Sequence, residues 1–431
     1  MIAGILFAVF IALMLIGVPV GVALGIGGTV AIVLSNLDTP WYGLLTVPQN
    51  FYAGLAKYPL LAIPMFVLVG SIFDRSGVAK RLVDFAIAIV GRGPGMLPLV
   101  SIAVAMFLGG ISGSGPACAA AVGAVMIAAM SRAGYPGAFS ASVVAAGAAT
   151  DILIPPSVAF IIYSVLVPEL GAGAVRRRHG AGHPGRPGAD RAGRVAVAQA
   201  QDGHAGSAPA APAVLAQPAR GSWGLAAPVL ILGGMRMGWF TPTEAAVVAV
   251  FYGLFVGMCI HRTIKLRDLY VILREAAELS AVIMLVVTLA GIFAWALSTL
   301  SVIDPITHAI VNSGLGEWGV LALLILLLMT VGMFLDGISI FLIFVPLLMP
   351  IAKAYNWDPV WFGVILTLKV ALGQFTPPLA VNLMVSCRIA RVPMESTVRW
   401  VVWLLGAMFL VLVAVLVFPQ LALWLPHKLG Y

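Results

Sequence analysis

Long apolar stretches set the pattern of this chain. Approximate runs cover 2–35, 59–73, 82–91, 95–131, 137–168, 223–260, 277–302, 318–352, 359–390 and 400–426. A helix needs roughly 20 consecutive apolar residues to cross a bilayer, so the pattern predicts an all-α polytopic membrane protein. Several runs exceed one span and are interrupted by Gly or Pro, which is how broken helices and re-entrant hairpins read in sequence. Basic residues cluster at Arg75/Lys80/Arg81, at Arg262/Lys265/Arg267/Arg274 and at Arg388/Arg391/Arg399. The bias of Lys and Arg toward the cytoplasm assigns the 261–275 connection to that side.

Composition excludes two classes. The 431 residues are 61% hydrophobic and only 9% charged, where a soluble domain carries about 25% charged residues; neither a cytosolic enzyme nor a disordered chain fits. The net charge of +8 is concentrated: residues 171–220 hold Arg176, Arg177, Arg178, Arg186, Arg191, Arg194 and Arg220 against Asp190 and Asp202, which is +5 and leaves +3 for the rest. The charge is therefore no evidence for a nucleic-acid partner. Cys118, Cys259 and Cys387 stand singly in apolar runs with no CxxC, and the one nearby His, His261 beside Cys259, makes no zinc ligand set by itself, which points to packing rather than to a disulfide or zinc. The chain enters an apolar run without the basic stretch of a cleaved signal peptide, so the first segment is expected to stay.

Two pairs of elements carry the candidate chemistry. Gly109–Ala117 packs four Gly, Ser112, Ser114 and Pro116 into an apolar run. Gly permits close backbone approach and Ser supplies hydroxyls, so such a loop, Gly113 included, presents amides to an anion or carbonyls to a cation. Small-residue helix packing is the plainer alternative. Its partner is Thr150-Asp151-Ile152-Leu153-Ile154-Pro155-Pro156-Ser157. Consecutive prolines remove two amide donors and disfavour helix before them, which predicts free carbonyls over roughly 151–154 suited to Na⁺. Asp151 is ionisable inside an apolar run and so a functional candidate, with helix capping or pairing with a neighbour as the alternative.

The second half repeats this logic. Asp336-Gly337-Ile338-Ser339 is followed by Gly373-Gln374-Phe375-Thr376-Pro377-Pro378-Leu379-Ala380-Val381-Asn382, with Lys369 one turn before as an anion contact or a snorkelling side chain. Gly110-Ile111-Ser112 matches Gly337-Ile338-Ser339, Ile154-Pro155-Pro156 matches Thr376-Pro377-Pro378, and Gly70…Ile72-Phe73 matches Gly291-Ile292-Phe293, at offsets of 227, 222 and about 220. A shared order and near-constant offset favour duplication. Between the halves, Phe240-Thr241-Pro242-Thr243-Glu244 reads as a capped helix start.

Together, "AIPMFVLVGSIF" (62–73), "GISGSG" (110–115), "ILIPPS" (152–157), "FTPTEAA" (240–246) and "GQFTPPLAVN" (373–382) resemble, in this order, the large membrane subunit of the tripartite ATP-independent periplasmic (TRAP) transporters. The resemblance implies two inverted repeats with re-entrant hairpins and proline-broken helices, working as an elevator-type transporter of the bacterial inner membrane. It implies uptake of an organic anion bearing a carboxylate, Na⁺ as coupling ion and no other cofactor. The implied partners are a small membrane subunit, a soluble periplasmic binding protein and the lipid bilayer. Carried over, Ser112, Gly113 and Ser114 fall on the first hairpin tip and Pro155 and Pro156 on the first break. Gly337 and Ser339 fall on the second hairpin, and Thr376, Pro377 and Pro378 on the second break. Thr150, Asp151, Asp336, Gln374 and Asn382 complete the expected substrate and ion site, with Na⁺ near Ser112, Asp151, Ser339 and Thr376. Asp151 stands where the family commonly has Gly, and Ala380 where a Gly often follows the proline pair.

The resulting organisation is N-terminal membrane segments (1–58), a first transport repeat (59–170), an anomalous segment (171–221), connecting helices (222–275), a second repeat (276–400) and a last membrane helix (401–431). Residues 171–220 contain nine Gly, fifteen Ala, seven Arg and five Pro but no Phe, Tyr, Trp, Met, Ile or Lys. Such text is either a basic disordered loop or the out-of-frame reading of GC-rich codons. Back-translated and read one base later, Val175–Gly206 can yield an apolar span ending in a basic loop. Two other functions compete with tripartite uptake. One is a stand-alone anion permease needing no binding protein. The other is an intramembrane serine protease built on Gly110-Ile111-Ser112-Gly113, for which no His lies well inside an apolar run to act as base.

Overall fold

The computed structural model describes residues 2–38, 40–78, 81, 95–112, 114–154, 157–167, 223, 226–227, 230–231, 233–235, 237–333, 335, 337–377 and 380–428. The anomalous segment 171–220 and the expected site residues Gly113, Pro155, Pro156 and Asp336 lie outside them, as does Pro378. All regular structure among the described residues is helical.

The apolar runs divide where Gly and Pro interrupt them. Run 2–35 forms α1 (Ile2–Leu15) and α2 (Val20–Ser35), turning at Gly17 with φ +92°. Helix α3 (Pro40–Leu55) and a 3₁₀ turn, Tyr58–Leu61, lead into α4 (Ala62–Arg75). Run 95–131 becomes a helical hairpin of α5 (Met96–Ser112) and α6 (Gly115–Arg132). Run 137–168 becomes α7 (Gly137–Ala149), a 3₁₀ turn (Asp151–Leu153) and α8 (Val158–Leu166). Helix α9 (Pro242–Phe255) continues as a π turn, Val256–Ile260, and α10 (Leu266–Thr299) runs unbroken for 34 residues before α11 (Ile303–Val311). The second half repeats the hairpin in α12 (Gly316–Gly332) and α13 (Gly337–Ala354), and the broken helix in α14 (Pro359–Gly373) and α15 (Val381–Ala390). Helices α16 (Val398–Val417) and α17 (Gln420–Lys428) close the described chain.

Among the described residues, six helical stretches are long and apolar enough to cross a membrane. Their outer faces carry large apolar side chains, among them Trp318, Leu326, Trp403 and Leu410, that are exposed in the isolated chain and suit lipid. Cys118 and Cys387 are buried as packing residues, but Cys259 is exposed. It follows Phe251 and Phe255 at four-residue spacing, and both of those are also exposed, so it belongs to a lipid-facing stripe. The helix start at Thr241 forms as expected: the Thr241 N–H donates to Glu244 Oε2 at 2.8 Å and the Glu244 N–H donates to Thr241 Oγ1 at 3.3 Å.

Two packed bodies position the site. In one, α2, α4 and α9 gather around α10 or each other. Gly21, Gly25 and Gly28 of α2 let Val286, Leu289 and Phe293 of α10 approach, and a Cβ at Gly28 would stand 3.0 Å from the Phe293 backbone; small residues permit this close crossing in a bilayer. At the other end of α4, Arg75 Nη2 donates to both Glu275 carboxylate oxygens of α10, at 2.6 and 2.7 Å. In the other body the halves interlock: α15 packs on α6 and α7, while α8 packs on α13 and α14.

A geometric correspondence accompanies the sequence repeat. Near the end of the first hairpin arm, a Cβ on Gly109 would stand 2.6 Å from Asp151 Cα; at the end of α12, a Cβ on Gly373 would stand 2.6 Å from the Gly332 carbonyl oxygen. Gly332 follows Gly109 by 223 residues and Gly373 follows Asp151 by 222. Each hairpin arm thus meets its broken helix at matching positions.

Candidate functional site

The hairpin tips and helix breaks surround a cavity of about 340 Å³. One wall is built from two helix faces at i, i+3, i+4, i+7 spacing: Val67, Gly70, Ser71 and Asp74 of α4, and Leu279, Val282, Ile283 and Val286 of α10. The rest comes from chain ends. The first turns of α6 (Gly115, Pro116, Ala117), α8 (Val158, Ala159), α13 (Gly337, Ile338, Ser339) and α15 (Val381) all line it. Four helix N-termini therefore border one space, and the partial positive charge of a helix N-terminus favours an anion. The ends of α12 and α14, at Gly332, Gly373 and Gln374, line it as well, and helix C-terminal carbonyls suit a cation.

The N-termini differ in whether their donors are already engaged. At α8, the Phe160 N–H donates to Ser157 Oγ at 3.3 Å, a side-chain cap. Ser114 and Ala380, the residues before α6 and α15, provide no side-chain cap. These two uncapped ends are neighbours, because a Cβ on Gly115 would stand 2.5 Å from Gln374 Oε1 and 2.8 Å from both Asn382 amide atoms. The second break is clasped across itself: Asn382 Nδ2 donates to Gln374 Oε1 at 3.1 Å, and the Asn382 N–H donates to the Gln374 carbonyl at 3.1 Å. Asn382 is fully buried, and its Oδ1 has no hydrogen-bond partner among the described residues.

The expected site residues separate into groups. Ser114, Gly337, Ser339 and Gln374 line the cavity, with Asn382 directly behind Gln374. Asp151 is fully buried beside Gly109, and its neighbour Ile152 reaches the cavity wall. Ser157, not Asp151, caps the helix after the first break. Thr150 donates to the Gly147 carbonyl at 2.6 Å and Thr376 to the Leu372 carbonyl at 2.5 Å, so both hydroxyl protons are held within the chain's own turns. Pro377 occupies the turn after α14, and Ser112 ends α5. The predicted run of free carbonyls is shorter than expected. The Asp151 carbonyl accepts from the Ile154 N–H at 3.1 Å and the Ile152 carbonyl from Ser157 Oγ at 3.0 Å; the 3₁₀ turn and the hydroxyl replace donors that the prolines remove. Lys369 is 1% exposed, so it does not snorkel. Its ammonium has no hydrogen-bond partner among the described residues and does not line the cavity.

The wall of α4 and α10 was not anticipated. Its sequence signal is the recurrence of Val67, Gly70, Ser71 and Asp74, where two polar residues share the stripe of an otherwise apolar helix.

Interlocked hairpins, broken helices and a cavity between them and an apolar wall define a polytopic membrane protein of the transport class. Residues 7–421 match the family described as "Tripartite ATP-independent periplasmic transporter, DctM component". The C4-dicarboxylate TRAP transporter large permease protein DctM of Rhodobacter capsulatus is 32% identical, with 99% of each chain covered. The sialic acid TRAP transporter large permease protein SiaM of Vibrio cholerae is 32% identical over 98% of each chain. The isethionate TRAP transporter permease protein DctMQ of Oleidesulfovibrio alaskensis is 31% identical over 97% of this chain and 66% of that protein. The chain belongs to the DctM family of TRAP transporter large permeases. It is an integral inner-membrane transport protein and not an enzyme, and the family works as a tripartite system.

Proposed function

We propose that the protein catalyses Na⁺-coupled uptake of an organic anion handed over by a periplasmic binding protein, with a small membrane subunit as its second partner. The observation that carries this reading is the convergence of four helix N-termini and two helix C-terminal ends on one cavity. The N-termini favour the anion and the C-terminal carbonyls the cation, so the two are held together. The named relatives act on a C4-dicarboxylate, sialic acid and isethionate, which are all organic anions. The matched crossings at Gly109/Asp151 and Gly332/Gly373 support a duplicated unit, which the elevator reading takes as two inverted repeats. In an elevator cycle the body of hairpins and broken helices carries the bound anion and ion past the α4–α10 wall.

The test is uptake into proteoliposomes holding this protein with the small subunit, with binding protein added outside. Accumulation of a labelled organic anion that needs both an inward Na⁺ gradient and the binding protein supports the reading. Accumulation without the binding protein would identify a stand-alone permease instead, and accumulation indifferent to Na⁺ would remove the coupling. Whether 171–220 is a loop or a frame error is answered by the gene's nucleotide sequence.

A further inference from the structure

The cavity has two chemically different sides. On one, the first turns of α6 and α15, which no side chain caps, border the space with their partial positive charge, the Asn382 N–H of α15 being held by the Gln374 carbonyl. On the other, the α4–α10 wall is apolar except for Ser71 and Asp74, and Asp74 is the only charged side chain among the described residues that line the cavity. Asp74 is exposed and ends the α4 stripe, about 10 Å of helix from Val67. Its neighbour Arg75 makes its hydrogen bonds to Glu275, at 2.6 and 2.7 Å, rather than to Asp74. That bridge ties the Asp74 end of the α4 face to α10, where Leu279, one turn beyond Glu275, lines the same cavity.

A ligand carboxylate seated at the helix N-termini leaves its far end toward this wall. A second carboxylate there faces the Asp74 carboxylate and is repelled by it. An ammonium or a hydroxyl donor instead pairs with it.

Resting on the transport reading above, we infer that Asp74 is a specificity-determining residue, and that the substrate is a monocarboxylate whose far end carries a cationic group or hydroxyl donors rather than a second carboxylate. Among relatives that include a C4-dicarboxylate permease, this chain is then tuned away from dicarboxylates.

The test uses the purified protein in detergent with Na⁺ and reads ligand binding as thermal stabilisation. Two matched probe pairs are used: 4-aminobutyrate against succinate, and gluconate against glucarate. The expected result is at least about tenfold tighter binding of the monocarboxylate in one or both pairs, the scale of one like-charge contact in a partly desolvated site. Asp74→Asn reduces that ratio toward one, and Asp74→Lys reverses it. Equal binding within both pairs by the unsubstituted protein, or a ratio untouched by Asp74→Asn, overturns the assignment of Asp74 while leaving the transport cavity standing. Failure of all four probes to bind at any Na⁺ concentration overturns the substrate class inferred here, while the uptake assay above decides the transport reading separately.

Discussion

The two hairpin crossings share a geometry and differ in one residue. In the second half both partners are glycines, Gly332 and Gly373, and backbone meets backbone. In the first half Gly109 meets Asp151, whose side chain is fully buried. A glycine pair needs no polar partner, whereas a buried carboxyl has to be compensated. The first crossing therefore holds an ionisable group that the second lacks, at a position where the repeat supplies Gly. The breaks beside them diverge in the opposite sense. Ser157 engages the donors of α8, while α15 starts uncapped and is held by the Asn382–Gln374 clasp. In the proposed transport cycle the anion is drawn toward the N-termini of α6 and α15, and Asp151 at the first break adds a carboxyl group to the cation's side beside the carbonyl ends of α12 and α14.

Substitutions can break this comparison in graded steps. Gly373→Ala has the largest expected effect, because its Cβ would press on the Gly332 backbone at 2.6 Å and neither helix end has a flexible side chain to move. Overpacking of this kind costs about 1–3 kcal/mol or more, read as loss of monodisperse protein on size exclusion; Gly109→Ala, placed against the Asp151 backbone, should match it. A normal yield of both variants would show that the crossings are loose.

Asp151→Gly makes the first crossing resemble the second. The protein should fold, and the Na⁺ concentration for half-maximal uptake should rise at least about tenfold, the scale of one hydrogen bond to a charged group. An unchanged Na⁺ dependence would leave Asp151 a structural residue. Next in size, Asn382→Leu strips the clasp and leaves Gln374 short of a partner. The expected loss is about 1–3 kcal/mol, measured as a lower melting temperature together with weaker anion binding. The smallest effect is Ser157→Ala, about 1 kcal/mol of stability from one lost cap with Na⁺ dependence retained; a change in ion coupling here would contradict the capping role.

Much of this was legible in the sequence because it depends on local chemistry. Apolar runs interrupted by Gly and Pro located the hairpins and breaks, and Thr241 with Glu244 announced its own capping box. Ser157 shows where local reasoning stopped. The proline pair predicts missing donors, yet a hydroxyl five residues downstream of the Ile152 carbonyl replaces one, and that depends on how the chain turns. The α4–α10 wall was hidden for another reason. Its residues lie about 210 positions apart in sequence and form one surface only through tertiary packing, so only the stripe of Ser71 and Asp74 hinted at it. The meeting of Gly115 with Gln374 and Asn382 likewise joins two halves that no local pattern links.

The central claim is that one cavity at this junction holds the anion and the ion together. Its most direct test is the labelling of Val381→Cys, a cavity-lining position that is 40% exposed, by a membrane-permeant thiol reagent in the purified protein with the exposed Cys259 changed to Ser. The account predicts that labelling slows only when Na⁺ and the transported anion are both present. Labelling indifferent to both, or slowed fully by either one alone, would contradict it.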